Sequence, residues 1–301
     1  MALKTRDYFH SFFFCNYFYG ICSVALAIEG NLQQGVPLNA WYFYPLIFSS
    51  TTWFYTRAYI ASDASPNYNT RTTWYYVHKK FVRFSQSTLL GILLVGSVVL
   101  LYLHYDKISN ISWLEWGLLL IFPLVGAMYY GLVGHQLNLR NIGWLKPFWI
   151  GFTWAGMVNV YPILFYNITQ QIPTSISFIN LVLFFKNFMF VTVLCILFDI
   201  KDYADDYNRR LKTFVVENGL RRTIFFIVIP LSIAGLGSFL FYSLMHQFSI
   251  GKIIINTLPF LAMIAVAYSM HRRKPILYYL ILIDGLMLFK AICGSIGILY
   301  F

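Results

Sequence analysis

The 301-residue chain is 59% hydrophobic and only 11% charged, whereas a soluble domain carries about 25% charged residues. With a mean hydropathy of +0.64, this composition excludes an ordinary soluble globular protein and predicts an integral membrane protein. The formal net charge of +11 is explained by basic loops at one face of a membrane, so no nucleic-acid partner is predicted.

Nine apolar windows, each about 17 to 25 residues long, can cross the hydrocarbon core of a bilayer as helices. They are apolar throughout rather than at alternate positions, which excludes the strands of a membrane barrel. We therefore predict an all-α, polytopic helical bundle of about nine transmembrane helices, and a single domain over residues 1–301 because no linker divides the chain. The windows are 11–29, 41–61, 87–104, 114–134, 147–166, 176–198, 222–244, 252–270 and 275–299.

Lysine and arginine predict the orientation, because short loops rich in these residues stay on the cytoplasmic side. The N-terminal segment and the 2–3, 4–5, 6–7 and 8–9 connections hold 18 of the 22 basic residues. This places the N-terminus in the cytoplasm and, with an odd number of spans, the C-terminus on the opposite side. The expected location is the inner (cell) membrane of a bacterium.

Lys186, Asp284 and Lys290 are charged residues in the interior of apolar windows, away from the window ends. A charge at the centre of a bilayer costs roughly 3 kcal/mol on insertion scales, so these side chains should face the bundle interior. They are interpreted either as an Asp–Lys pair between helices or as substrate contacts. Intramembrane asparagines are predicted to form hydrogen bonds between helices; these are Asn159, Asn180 and Asn187.

Four of the eleven acidic residues fall within eight positions directly after the sixth window, at 199, 202, 205 and 206. On a helix, Asp199, Asp202 and Asp206 lie within roughly 60° of one another. Hard cations such as Mg²⁺ bind carboxylates together with phosphate oxygens, so one interpretation is a magnesium diphosphate site. The alternative is a solvated helix end neutralised by neighbouring basic residues, which are Lys201, Arg209, Arg210 and Lys212.

Residues 198–219, FDIKDYADDYNRRLKTFVVENG, closely resemble the second aspartate-rich motif of the UbiA superfamily of intramembrane prenyltransferases. That motif reads approximately D-[IL]-x-D-x-x-x-D-x-x-x-G-x-x-T-L-P. Asp199, Asp202 and Asp206 match its acidic positions. Lys212 begins its basic-threonine pair and is a candidate for binding the diphosphate, and either Lys212 or Arg71 is expected within ion-pair reach of the aspartates. The resemblance implies that these aspartates are catalytic residues that hold Mg²⁺ against a diphosphate.

Two positions depart from the family motif: Arg210 stands at the usual glycine and Val215 at the usual proline. In architecture the resemblance covers the whole chain, because family members have nine transmembrane helices around a central cavity with both aspartate motifs under a cytoplasmic cap. The window count and orientation predicted above agree with that arrangement.

The family's first motif, approximately N-D-x-x-D-x-x-x-D, is missing from the end of the second window. Residues 53–71 contain a single acidic residue, Asp63, together with Arg57 and Arg71. A guanidinium pairs with phosphate through two hydrogen bonds, so these arginines are predicted to contact diphosphate oxygens, although they are equally typical of positive-inside anchors. In the 4–5 connection Arg140 and Lys146 are further diphosphate-binding candidates, and topology alone would also explain them.

The resemblance implies an enzyme that transfers a prenyl group from a prenyl diphosphate to a lipophilic acceptor, with Mg²⁺ as cofactor and membrane lipids as surroundings. The missing first motif favours an alternative: a family descendant that has lost the chemistry and serves as a lipid-binding or transport-related membrane protein. Local spacing does not distinguish between them.

Overall fold

The computed structural model describes residues 5–60, 70–131, 139, 142–208, 210–271 and 274–301, and within them it contains helices and no strands. Six helices are long and apolar enough to cross a membrane, and seven spans result if the bent pair Tyr8–Phe14 and Tyr17–Gln33 counts as one. The chain is therefore a polytopic helical membrane protein, as its composition predicts. The helices are α1 (Thr5–Phe14), α2 (Tyr17–Gln33), α3 (Phe43–Ile60), α4 (Thr70–Val77), α5 (Lys79–Leu103), α6 (Tyr105–Ile108), α7 (Trp113–Tyr129), α8 (Lys146–Gln170), α9 (Phe178–Asn208), α10 (Phe214–Asn218), α11 (Leu220–Met245), α12 (Ile250–Ser269) and α13 (Ile276–Leu299).

Each of the nine predicted windows contains a helix, although the boundaries differ in places. α5 begins at Lys79, eight residues before its window, and α9 continues to Asn208, ten residues past the end of its window. α7 is a shorter apolar helix that ends at Tyr129. The extension of α9 matters most, because it carries the acidic run on a continuous helix. That nine segments cross the membrane stays a prediction.

The chain forms two compact units, and the boundary between them falls inside α2. The first unit comprises Met1–Val24 and Asn39–Asn110, and the second comprises Ala25–Leu38 and Ile111–Phe301. In the first unit α3 packs along α5, and the short α4 contacts both. Only 11% of the most apolar stretch of α5 is buried, so its remaining leucine and valine side chains are suited to contact lipid.

In the second unit α9 is the central helix. Half of its most apolar stretch is buried, and it packs against α8, α11 and α13. Gly151 permits the close approach of α8, because a Cβ there would lie 2.8 Å from the backbone oxygen of Phe188. The last turns of α9, which bear the aspartates, therefore continue directly from a helix that is packed in the centre of the second unit.

Three of the described spanning helices contain a wide π-helical turn, and in two of them a proline follows the turn. In α8 the turn Gly156–Val160 precedes Pro162, and in α11 the turn Thr223–Val228 precedes Pro230. Proline lacks an amide hydrogen and collides with the carbonyl one turn earlier, so the helix widens there instead of breaking.

Candidate functional site

The acidic run lies in the last turns of α9, and its first member is almost completely buried. Asp199 is 1% exposed, and Lys146 donates a hydrogen bond of 2.7 Å to its Oδ1. The lysine comes from the first turn of α8, 53 residues earlier. A lysine from the 4–5 connection, among the weaker candidates from sequence, is thus the ion-pair partner of the first aspartate.

The second carboxylate oxygen of Asp199 is the most unusual atom of this cluster. Oδ2 is buried and finds no hydrogen-bond partner within the described part of the chain. Leaving such an acceptor unpaired costs about 1–3 kcal/mol, and more when it is charged. A native protein tolerates that cost most readily where a ligand, ion or water completes the site.

The other two aspartates differ in exposure but act on the same lysine. Asp206 is 5% exposed, whereas the side chain of Asp202 is 41% exposed and pairs with Lys201 at 3.1 Å. The charges of Asp199, Asp202 and Asp206 all reach Lys146. Lys146 is therefore within electrostatic reach of all three aspartates, and Lys201 is a second basic partner of Asp202.

Close backbone packing positions Lys146. Its connection passes so near the segment after α9 that a Cβ on Gly143 would lie 2.6 Å from the carbonyl carbon of Lys212 and 2.8 Å from the backbone nitrogen of Thr213. Thr213 is fully buried, and its hydroxyl accepts a hydrogen bond from the backbone of Val216 as the N-cap of α10. The predicted basic-threonine pair therefore borders the segment that supplies Lys146, although the described residues show no ion pair to the Lys212 side chain.

The end of α9 explains a departure from the family motif. Arg210, at the position of the usual glycine, has φ +56°, the left-handed region in which glycine is favoured. The backbone nitrogens of Arg210 and Leu211 donate to the carbonyls of Tyr207 and Asp206 at 3.1 and 2.9 Å, which is the Schellman pattern of helix termination. The chain keeps the glycine-like turn without the glycine.

Mg²⁺ fits this site only in part. Among the residues that the structure describes, no group of three or more His, Cys, Asp or Glu side chains is arranged to hold a metal ion. Mg²⁺ usually keeps several waters and binds one or two carboxylates plus substrate phosphates. The spare oxygen of Asp199 suits that mode, whereas a cage of three protein carboxylates does not match the geometry. Arg140, a further candidate, lies outside the described residues.

Arg71 has a different setting from the one predicted for it. In the first unit α1 and α2 are bent by 57° at Asn16, whose φ is +60°. Arg71 Nη2 donates to the Phe14 carbonyl at 2.6 Å and to Asn16 Oδ1 at 2.8 Å, and Tyr75 donates to the same carbonyl. The guanidinium thus satisfies one backbone carbonyl that the broken helix leaves open, together with the side-chain oxygen of Asn16. A contact between Arg71 and a diphosphate stays a prediction.

The surroundings of Arg71 are aromatic, and it is only 3% exposed. Its guanidinium lies over the ring of Tyr59 at 3.8 Å. Burial lowers the pKa of Arg71, but the neighbouring tyrosines Tyr59 and Tyr75 act in the opposite direction and leave the pKa above its ordinary value. Arg71 therefore stays positively charged, and its hydrogen bonds stabilise the break between α1 and α2.

The remaining predicted arginine, Arg57, is exposed near the end of α3, with its guanidinium 5.1 Å from the centre of the Trp53 ring. Residues 61–69, which include Asp63 and most of the stretch that replaces the first motif, lie outside the described residues. Arg57 belongs to the first unit and the aspartates belong to the second.

Sequence reasoning missed Glu29, which forms a further buried ion pair among the described residues of the second unit. Of the two interpretations left open for the intramembrane charges, an Asp–Lys pair and a substrate contact, the first named the wrong acidic partner for Lys290, which donates to Glu29 Oε2 at 2.7 Å. Lys186 lies 4.0 Å from Glu29 Oε1 and donates to Gln33. The position of Glu29, at the end of an apolar window, was the available signal.

The asparagine predictions are confirmed. Asn187 donates to Asn159 Oδ1 at 3.0 Å, and Asn180 donates to Gln34 Oε1 at 2.7 Å. Gln34 in turn donates to the backbone carbonyl of Asn159 inside the wide turn of α8. These amides join α2, α8 and α9 around the Glu29 cluster.

Comparisons of the chain with protein-family models, with characterised proteins and with solved structures found no match.

Proposed function

We propose that this polytopic membrane protein is a UbiA-like prenyltransferase, which transfers a prenyl group from a prenyl diphosphate to a lipophilic acceptor. The observation that carries the proposal is the buried Asp199 carboxylate, with one oxygen on Lys146 and the other without a partner among the described residues. The end of a membrane-spanning helix is the depth at which the headgroup of an amphiphilic substrate would lie.

In the proposed complex with the prenyl diphosphate, the hydrogen-bond partner of Lys146 changes. Lys146 would move its hydrogen bond from Asp199 to a phosphate oxygen, and Asp199, with Asp202 or Asp206, would hold the cation that accompanies the diphosphate. Mg²⁺ would supply neutralisation of the charge that develops on the leaving diphosphate. The carbon–oxygen bond of the substrate breaks with both electrons going to the diphosphate, which leaves. The resulting allylic cation alkylates the acceptor, and the acceptor then loses a proton to the released diphosphate or to water.

The finer architecture belongs to the same proposal: nine transmembrane helices around a central cavity, an N-terminus in the cytoplasm and a C-terminus outside. Support comes from the helix in each predicted window and from the distribution of basic residues. A reporter fused after Phe301 should be active only on the non-cytoplasmic side. Activity on the cytoplasmic side would mean that one segment fewer crosses the membrane or that the whole bundle has the opposite orientation.

The test of function is binding of farnesyl diphosphate to the purified full chain, measured by calorimetry with Mg²⁺ and with chelator. Asp199→Asn and Lys146→Gln should each weaken Mg²⁺-dependent binding by about ten- to a hundred-fold, because each removes a charge-assisted contact of roughly 1.5–3 kcal/mol. The matched control is Asp106→Asn, an exposed aspartate in α6 of the first unit, which should bind as the wild type does.

A second candidate function is lipid binding without chemistry. It is favoured by the absence of a metal-holding group of three acidic, histidine or cysteine side chains among the described residues. Equal affinity with Mg²⁺ and with chelator, unchanged by Asp199→Asn, would reject the transferase and support this alternative.

A further inference from the structure

A groove of about 600 Å³ lies between α3 and α5 in the first unit. Two of its side chains are arginines, Arg57 near the last turn of α3 and Arg83 in the second turn of α5. No acidic residue is among the described lining residues, which leaves both positive charges facing one space. The described lining residues are Trp53, Arg57, Ile60, Arg83, Gln86, Ser87 and Leu90.

Gln86 provides an independent sign that the groove takes a ligand. It is 8% exposed, lines the groove, and its Nε2 finds no hydrogen-bond partner in the described ranges. A buried amide donor without an acceptor is costly, and the acceptor that suits it beside two guanidinium groups is an anionic oxygen. Phosphate is the anion whose geometry arginine pairs with best.

The location of the groove decides the source of the phosphate. α3 ends at Ile60 and α5 begins at Lys79, so both arginines lie within about two turns of the ends of apolar helices, where lipid phosphates and interfacial residues meet. Trp53, Ile60 and Leu90 add apolar walls that water-soluble phosphates do not need. A smaller neighbouring cavity of about 120 Å³ also contains Arg83 and adds Lys79, which extends the basic surface.

We propose that this groove is a binding site for an anionic membrane phospholipid, whose phosphate is held by Arg57, Arg83 and Gln86 while an acyl chain lies along Trp53 and Leu90. The site belongs to the first unit, and it is independent of the diphosphate chemistry proposed at Asp199 in the second unit. It would make the protein selective for anionic lipid at one interface.

The experiment is titration of the purified full chain with dioleoyl phosphatidylglycerol or dioleoyl phosphatidylcholine, with bound lipid counted by native mass spectrometry. Arg57→Gln and Arg83→Gln should each weaken phosphatidylglycerol binding about five-fold, and the double variant about twenty-five-fold. Gln86→Glu keeps the size of the side chain but places a carboxylate against the phosphate, and it should weaken binding more than either single arginine variant.

Two controls make the result specific. Lys80→Gln removes a positive charge from the same turn of α5 at a position that lines neither cavity, and it should leave the affinity unchanged. Asp199→Asn should also leave phosphatidylglycerol binding unchanged, so failure of the lipid site and failure of the proposed enzyme are distinguishable. Thermal unfolding of each variant shows that it remains folded.

Three outcomes would overturn the proposal. Phosphatidylcholine could bind as tightly as phosphatidylglycerol, or Lys80→Gln could weaken binding as much as Arg83→Gln, which would indicate diffuse attraction to a basic surface. Alternatively, glycerol 3-phosphate could displace the lipid at equal concentration, which would make a soluble phosphate ester the ligand.

Discussion

Two ion pairs of the second unit have the same length and opposite surroundings. Lys290 meets Glu29, and Lys146 meets Asp199, each at 2.7 Å. Around Glu29 the lysines outnumber the carboxylate, because Lys186 lies within 4.0 Å as well. Among the described residues around Lys146, three aspartates face two lysines, Lys146 and Lys201, so the carboxylates are in excess there. The sign of the excess charge therefore differs between the two clusters.

The two carboxylates also differ in how completely they are bonded. Glu29 Oε2 accepts from Lys290 and Oε1 accepts from Gln33 at 2.7 Å, whereas Asp199 Oδ2 has no partner in the described part of the chain. A buried charge network is stabilising only when its members are satisfied. We interpret the Glu29 cluster as a structural link between α2, α9 and α13, and the Asp199 cluster as the site that a ligand completes.

The largest expected effect comes from neutralising each carboxylate at constant size. Glu29→Gln leaves Lys186 and Lys290 as two buried positive charges, so the free energy of unfolding should fall by about 3–5 kcal/mol. Asp199→Asn leaves Lys146 near Asp202 and Asp206, so it should cost less than about 1 kcal/mol. Denaturant unfolding in detergent measures both.

A rescue variant checks the cause of that difference. Replacing Lys290 by Met in the Glu29→Gln background removes one of the two unpaired charges and should restore most of the lost stability. If Glu29→Gln and Asp199→Asn lowered the free energy of unfolding equally, both ion pairs would be structural and the proposed difference between the two clusters would be wrong.

A second prediction tests how tightly the Glu29 cluster is packed, and its effect should be intermediate. A Cβ on Gly294 would collide with Glu29 Oε1 and lie 2.8 Å from its Cγ, whereas nothing lies within 4 Å of a Cβ on Gly285 in the same helix. Gly294→Ala should lower the free energy of unfolding by about 1–3 kcal/mol through overpacking.

The control for this prediction is Gly285→Ala, which should be neutral or stabilising by up to about 1 kcal/mol through helix propensity. Both variants are measured by the same unfolding experiment. If Gly294→Ala were as harmless as Gly285→Ala, the carboxylate of Glu29 would have room to move, and the comparison with Asp199 would rest on charge alone.

The contrast also shows which parts of the molecule the sequence could predict. The helical windows and the shared face of Asp199, Asp202 and Asp206 follow from local composition and helical periodicity, so they were predictable. Lys290 meets Glu29 across 261 positions, and such a pairing depends on which helices pack together. Sequence pattern requires only that an intramembrane charge faces the interior.

The partner of the aspartates was harder to predict for the same reason. Several basic residues lie near the helix ends that are predicted to be cytoplasmic. Close packing of Gly143 on the segment after α9 brings Lys146, and not another of these residues, to Asp199. No proline or glycine stands at the break at Asn16, so the local sequence did not predict it. Side chains of α3 and α4 stabilise the break by donating hydrogen bonds to its backbone carbonyls. Arg71 and Tyr75 donate to the carbonyl of Phe14, and Thr56 donates to that of Cys15.

The smallest expected effect concerns the turn that ends α9 beside the Asp199 cluster. Arg210 holds φ +56°, a conformation that costs a non-glycine residue about 1–2 kcal/mol, while glycine adds about 0.5–1 kcal/mol of unfolded-state entropy. Arg210→Gly should therefore raise the free energy of unfolding by up to about 1 kcal/mol, measured by denaturant unfolding. Arg210→Ala, which removes the same charge but keeps the Cβ, is the control and should bring no such gain. Equal gains in both variants would mean that relief of charge repulsion, and not backbone strain, limits the end of this helix, and the glycine-like turn would lose its explanation.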